Sequence, residues 1–180
     1  MQKIVFTFVG DDKAGLVERI SEKVAEHRGN WLESRLAQMA GKFAGIVSVA
    51  IDDNNVEPLL HDLASLADAG LTVVAERSSS SEIPASGRGA ARLKILGNDR
   101  PGIVHEISAS LAALNINIQE LNSEVQSAPM AGIPLFAATI DIDLPADPKL
   151  ARLQEHIEEA AEHLDIDIHL ELNDESSTAP

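Results

Sequence analysis

The sequence predicts two small α+β units in tandem, each with the element order βαββαβ. Three observations predict this. First, the chain repeats itself. Val9–Glu33 aligns with Leu96–Glu120 at an offset of 87, and nine of the 25 positions are identical, among them Gly10/Gly97, Asp12/Asp99, Gly15/Gly102, Ile20/Ile107, Asn30/Asn117 and Glu33/Glu120. Chance gives roughly one or two. Second, Ser78–Gly89 is a Ser/Gly/Pro stretch without apolar period, which reads as a flexible linker. Third, the same succession of strand-like and helix-like apolar patterns occurs on both sides of it. The expected division is residues 1–77 for the first unit, 78–90 for the linker, 91–172 for the second unit and 173–180 for a frayed tail.

Each unit opens with a short β-rich apolar run ending at Gly, Lys3–Val9 and Ala91–Gly97. A turn and a helix follow. The expected buried face of that helix is Val17, Ile20 and Val24 in the first unit, and Ile103, Ile107, Leu111 and Leu114 in the second. Two strands come next: Asn30–Met39 with Lys42–Ile51 joined tightly at Ala40-Gly41, and Ile116–Gln126 with Ile133–Asp143 joined by a longer loop. Thr139–Leu144 alternates apolar and polar residues as a half-buried strand does. The second helix sets Leu59, Leu60, Leu63 and Leu66 on one face, and its counterpart Leu150, Leu153, Ile157 and Ala161. Leu71–Arg77 and Asp165–Leu172 are the closing strands. This order is the ferredoxin-like split βαβ: an antiparallel four-stranded sheet with both helices on one face. The other face is bare and invites pairing, within the chain or in a dimer.

Composition narrows the function classes. Of 180 residues, 44% are hydrophobic and 24% charged, enough for a packed core. With one Trp, four Phe and no Tyr, that core must rest on Ile, Leu, Val and Ala. The absence of Cys removes disulfides, thiol nucleophiles and thiolate metal sites. The formal charge is −15, divided as −4 over residues 1–90 and −11 over residues 91–180. Such a chain is repelled by a phosphate backbone, and no Lys/Arg cluster or helix-turn-helix offsets this, so direct DNA binding is not expected. No targeting signal or membrane-spanning run is evident, and a soluble cytoplasmic protein is expected.

The turn after each first strand carries the chemistry. It reads Gly10-Asp11-Asp12-Lys13-Ala14-Gly15-Leu16-Val17 in the first unit and Gly97-Asn98-Asp99-Arg100-Pro101-Gly102-Ile103-Val104 in the second. Gly15 and Gly102 allow close backbone approach and positive φ. The helix that follows opens with unpaired N–H groups and a partial positive charge, which suits a small carboxylate. Asp12 and Asp99 can cap the helix or accept from an ammonium. Asn30 and Asn117 can add hydrogen bonds. The plain alternative is that Asp before Pro-Gly is helix-start chemistry with no ligand, the aspartates being simple caps.

The second turn resembles the Asp-Arg-Pro-Gly-Ile-Val turn of the ACT domain family, and Asn117-Ile118 also looks like the family. The first turn departs by having Ala14 where Pro is usual. Ala128–Phe136, followed by Asp143-Leu144-Pro145, is similar to the second ACT unit of glycine cleavage system transcriptional repressors. The resemblance covers nearly all of the chain outside linker and tail. It implies a non-enzymatic regulator that senses a small amino acid such as glycine, needs no other cofactor, and acts by contacting a separate DNA-binding regulator, with a homodimer expected. It places the effector at the turns, where ACT units meet. The candidate ligand residues are Asp11, Asp12, Ala14, Gly15, Leu16 and Asn30, with Asn98, Asp99, Pro101, Gly102, Ile103 and Asn117. The second turn is favoured because it keeps the family pattern better.

Pro129, Met130 and Ile133 are candidates for partner contact, the alternative being a hairpin that buries Met130 and Leu135. His156 and His163, seven apart on one helix, are too widely spaced for a metal pair. Asp141 and Asp143 are expected on the solvated side of their strand. Asp11-Asp12 and Asp52-Asp53 read as turn residues rather than paired catalytic acids. The acidic helix Leu150–Leu164 is expected to be a solvated face, or else to meet a basic partner. The readings are therefore an amino-acid-sensing regulator, an ACT-fold scaffold or regulatory subunit without ligand, and, least supported, an enzyme. Some ACT units precede catalytic domains, as in formyltetrahydrofolate deformylase, but here the two units use up the chain.

Overall fold

A computed structural model describes residues 1–77, 90–127, 133–144 and 150–173. The chain divides into two compact units. The first contains β1 (Gln2–Asp11), α1 (Leu16–Glu26), β2 (Asn30–Met39), β3 (Lys42–Ile51), α2 (Val56–Ser65) and β4 (Leu71–Arg77). The second contains β5 (Ala90–Asn98), α3 (Ile103–Ala113), β6 (Asn117–Ser127), β7 (Pro134–Asp143), α4 (Leu150–Leu164) and β8 (Ile166–Asn173). Each unit is βαββαβ. The sheets have orders β2-β3-β1-β4 and β6-β7-β5-β8, and every pair with recorded register is antiparallel. Of the expected linker 78–90 and tail 173–180, Ala90 opens β5 and Asn173 closes β8, while 78–89 and 174–180 lie outside the described residues.

In both units the first strand is central, flanked by the third and the last, so its alternate residues are buried. Ile4, Phe6 and Phe8 of β1, and Ala91, Leu93 and Ile95 of β5, face the helices. The helices bury a stripe at 3.6-residue spacing: Leu16, Ile20 and Val24 in α1, and Ile103, Ile107 and Leu111 in α3. Here the expectation for α1 shifts by one residue. Val17 is exposed, and Leu16, the first helical residue, takes its place in the core. In α4 the buried stripe is Leu153, Ile157, Ala160 and Leu164, so Ala160 rather than Ala161 faces inward. Chain reversal after α1 and after α3 uses a left-handed residue at equivalent positions, Arg28 (φ 57) and Asn115 (φ 54). Both edge strands shift register at equivalent positions as well, between Trp31 and Glu33 and between Ile118 and Glu120. Such bulges bend an edge strand away from unwanted pairing.

The two cores differ in chemistry. Four of the five aromatics lie in the first unit, where the rings of Phe6 and Trp31 meet edge-on at 6.4 Å and those of Phe8 and Phe43 lie 5.8 Å apart. The second core is aliphatic apart from Phe136. The expectation of an Ile/Leu/Val/Ala core thus holds for one unit and needs amending for the other. Close packing at the end of the central strand requires Gly10 and Gly97. A Cβ on Gly97 would stand 2.3 Å from Ile166 Cγ2 and 3.0 Å from its Cα. On Gly10 it would stand 2.9 Å from Leu71 Cδ2.

The sheet faces away from the helices differ more. In the first unit, register places Thr7, Ile46 and Val74 side by side, next to a row of Val9, Ala44 and Ala37. Val9, Ile46 and Val74 are 43%, 47% and 58% exposed. In the second unit the matching face carries ion pairs. Arg92 Nε and Nη2 donate to the two carboxylate oxygens of Asp141 at 2.7 and 2.9 Å, and Lys94 Nζ reaches Glu171 at 2.7 Å. Asp141, expected on a solvated side, is thus half-buried in a bidentate pair.

Candidate functional site

Each turn after the central strand is pinned by backbone bonds. The N–H of Asp12 donates to Gly41 O at 2.9 Å, and that of Asp99 donates to Pro134 O at 3.0 Å. A residue just before the third strand in the first unit, and the first residue of β7 in the second, therefore hold the turn from one side. The helix then starts on a glycine in the left-handed region, Gly15 at φ 88 and Gly102 at φ 102, where a Cβ would add strain. Neither helix start has a side-chain cap. This corrects the reading of Asp12 and Asp99 as caps. Glycine occupies the cap position, and neither aspartate side chain has a hydrogen bond or ion pair among the described residues. The first intrahelical bonds, Arg19 N–H to Gly15 O and Glu106 N–H to Gly102 O, leave the N–H groups of the preceding three residues free of helical partners.

The other turn candidates fall into distinct places. Asp11, Ala14, Asn98 and Pro101 are exposed beside the helix start. Leu16 and Ile103 are 6% and 2% exposed, so their side chains belong to the core and only their backbone faces the turn. Asn30 and Asn117 are not brought to their own turns. Asn30 pairs with Ala50 and through it with Lys3, whereas Asp11 ends the same strand eight residues on. Asn117 pairs with Asp143 and through it with Ala90, eight residues from Asn98. At about 3.3 Å per residue each asparagine lies roughly 27 Å from the turn of its own unit. The split βαβ crossover causes this, because the helix returns the chain to the opposite end of the sheet.

Two acidic side chains enter that sequence reading passed over. Glu18 Oε2 lies 3.5 Å, and Glu106 Oε1 3.9 Å, from where a Cβ would stand on Gly15 and Gly102. Their signal was an acid in the first helical turn, three and four residues after the glycine. Arg100 Nη2 donates to His163 O at 2.8 Å and so ties the second turn to the end of α4. His163 Nε2 stands 3.7 Å from Glu106. His156 bonds to Arg152 O within its own helix, so the two histidines serve separate contacts.

The electrostatics of the turns diverge. Asp11 pairs with Lys42 across the β1–β3 ladder, and that hydrogen bond, with the Lys42 and Lys13 charges, holds its carboxyl below the usual range. At the same ladder position the second unit has Asn98 opposite Leu135, and no ion pair can form. A depression of about 520 Å³ opens there, lined by Leu96, Asn98, Leu135, Glu162, Asp165 and Asp167 among others. Asp52 accepts from the Asn54 N–H and is a turn residue, as expected. Among the described residues no cluster of three or more His, Cys, Asp or Glu side chains could hold a metal, and no helix is long and apolar enough to cross a membrane. Of the partner-contact candidates, Ile133 is half exposed, while Pro129 and Met130 lie outside the described residues.

Known proteins are similar to this chain in sequence and fold. The ACT domain family profile matches residues 2–76. A UPF0237 protein of Methanopyrus kandleri is 35% identical over 85 residues, 47% of this chain and 88% of that one. A crystal structure of an unknown protein from Galdieria sulphuraria is 29% identical, with a TM-score of 0.84 over 96% of this chain and 99% of that chain. A candidate glycine cleavage system transcriptional repressor shares the fold at 20% identity, with a TM-score of 0.72 over 96% and 97% of the two chains. With the βαββαβ order, the sheet order and the glycine-started helix present twice, the chain belongs to the ACT domain family.

Proposed function

We propose that this protein is a non-enzymatic regulator that holds the zwitterionic head of a small amino acid at its strand-to-helix turns and acts by contact with a DNA-binding regulator. One observation carries the reading. At each turn an uncapped helix start on Gly15 or Gly102 lies three residues after an aspartate that has no partner among the described residues. Helix N–H groups suit a carboxylate, and a free Asp12 or Asp99 suits an ammonium. Glu18 and Glu106 reinforce the preference for a cationic group next to the anionic one. A bare phosphate or dicarboxylate meets too many acids there. The fold shared with a candidate glycine cleavage repressor makes glycine the first effector to try. A net charge of −15 supports action through a protein partner rather than on DNA itself.

The test is thermal unfolding against the twenty amino acids. A site filled to 100 times its dissociation constant adds roughly 2.7 kcal/mol. Asp99→Asn, at a side chain with no partner among the described residues, is expected to leave the apo midpoint unchanged and to weaken binding about tenfold. No shift with any amino acid at millimolar concentration removes the sensor. Pull-down from native lysate with and without glycine then tests the partner: glycine-dependent capture of a DNA-binding regulator supports it.

A second reading is an ACT-fold scaffold without ligand sensing. It is favoured by the same Glu18 and Glu106, whose carboxylates stand over the helix starts and can supply the negative charge themselves. The scaffold predicts full assembly and partner binding indifferent to amino acids.

A further inference from the structure

We infer that the helix-free face of the first sheet is a self-association surface, on which two copies of this chain pack sheet against sheet. The face has an apolar centre and a charged rim. Register places Val5, Val9, Ile46, Val74, Ala37 and Ala44 together around Thr7 and Thr72. Charges stand outside that block, with Lys3, Arg35 and Lys42 of one sign and Asp11, Glu33 and Glu76 of the other. An apolar core depleted of charge within a polar rim is the anatomy of a protein interface. A rim carrying both signs lets the surface meet its own copy without net repulsion.

The second unit makes the comparison inside the same chain. Its equivalent face carries Arg92–Asp141 and Lys94–Glu171, with Glu120 opposite Asp141. Covering the apolar face with that one would strip water from these paired charges and offer them no new polar contact in return, so the charged face is a poor cover. The chemistry that matches the first face is the first face. Four strands at about 4.8 Å, and eight residues from Lys3 to Asp11 at about 3.3 Å, give roughly 500 Å² per copy and about 1,000 Å² for two. That reaches the lower bound of specific interfaces, so the dimer is expected to be reversible, with a dissociation constant of about 1–100 μM. Sheets packed this way lie about 10 Å apart and within about 30° of parallel. This association needs no effector and stands apart from the amino-acid reading.

Sedimentation of the full chain across about 1–200 μM tests the inference. A concentration-dependent dimer is expected, unchanged by amino acids. Ile46→Glu and Val74→Glu, both at exposed positions, are each expected to weaken it roughly 30-fold or more. Asn122→Lys on the charged face is expected to leave it unaltered. The chain has no cysteine, so a single Thr7→Cys at the centre of the face is a clean reporter. It is expected to give a disulfide-linked dimer on mild oxidation, whereas Thr139→Cys on the other face gives none. Should a glutamate variant fail to match the parent in far-UV circular dichroism, the cysteine pair still decides. A monomer throughout the range, a dimer untouched by both glutamates, or equal cross-linking from Thr7→Cys and Thr139→Cys overturns the inference.

Discussion

The two units follow one plan with two chemistries. The first packs aromatic rings in its core, leaves an apolar sheet face, and locks its turn with the Asp11–Lys42 pair. The second has an aliphatic core, covers the same sheet face with ion pairs, and leaves the position beside its turn neutral and open. After duplication, positions that define the backbone stay alike: the glycine-started helix, the left-handed exit from it, and the edge bulge all recur at equivalent residues. Positions that only face water or a partner are free to part. The difference teaches that a shared fold fixes where a surface lies and leaves open what it meets.

Four measurements break or sharpen this contrast, from the largest expected effect to the smallest. Phe6→Ala removes a fully buried ring that meets Trp31, and is expected to destabilise the first unit by about 3–5 kcal/mol. Because Trp31 is the sole tryptophan, its fluorescence follows that unit alone. An equal shift in a probe of the second unit would show that the two unfold together. Gly97→Ala forces a Cβ into Ile166 at backbone level, for which roughly 2–3 kcal/mol is expected by urea unfolding. Gly10→Ala sets its Cβ 2.9 Å from the mobile Leu71 Cδ2 and 3.0 Å from the Gly70 carbonyl oxygen, so it is expected to cost less than Gly97→Ala but still about 1–2 kcal/mol.

Replacing Arg92 and Asp141 together by Leu turns part of the charged face into a copy of the apolar one. Little change in the unfolding midpoint is expected, with new self-association through the second unit visible in sedimentation. Unaltered association would mean that apolar character alone does not make the interface.

The smallest effect is on acid stability. His27 Nε2 bonds to Asp62 at 2.9 Å, and this contact, ahead of the nearby charges, holds the Asp62 carboxyl below its ordinary value of 3.8. A carboxyl depressed in the folded state stabilises the fold above its unfolded value, and that contribution is lost as pH falls through the folded value. The first unit is therefore expected to weaken as pH falls from about 5 through the ordinary carboxyl value and below it. Asp62→Asn should flatten that part of the profile. A slope unchanged by Asp62→Asn would assign acid sensitivity to other groups, Asp11 with Lys42 first among them.

Much of the fold was legible in the residues. Period and turn chemistry are local, and so Lys3–Val9, Asn30–Met39 and the 87-residue repeat pointed to strands and helices close to those found. Local reasoning erred where a neighbouring element decides the outcome. Val17 and Leu16 are one residue apart on a helix, and only the sheet beneath selects which is buried. Asp12 and Asp99 had the right type and spacing for a cap, but left-handed Gly15 and Gly102 take the cap position and leave them without partners among the described residues.

By itself, then, the sequence determined the two-unit plan, the order βαββαβ, the glycine turns and the excess of acid, because each is written in short-range pattern or in composition. Only the tertiary structure decided what stands beside what. It carried Asn30 and Asn117 roughly 27 Å from their own turns, because the crossover returns the chain to the far end of the sheet. It set Arg92 against Asp141 from 49 residues away and gathered Val9, Ile46 and Val74 on one uncovered face. Strand register across the sheet brings those residues together, and no pattern along the chain records it.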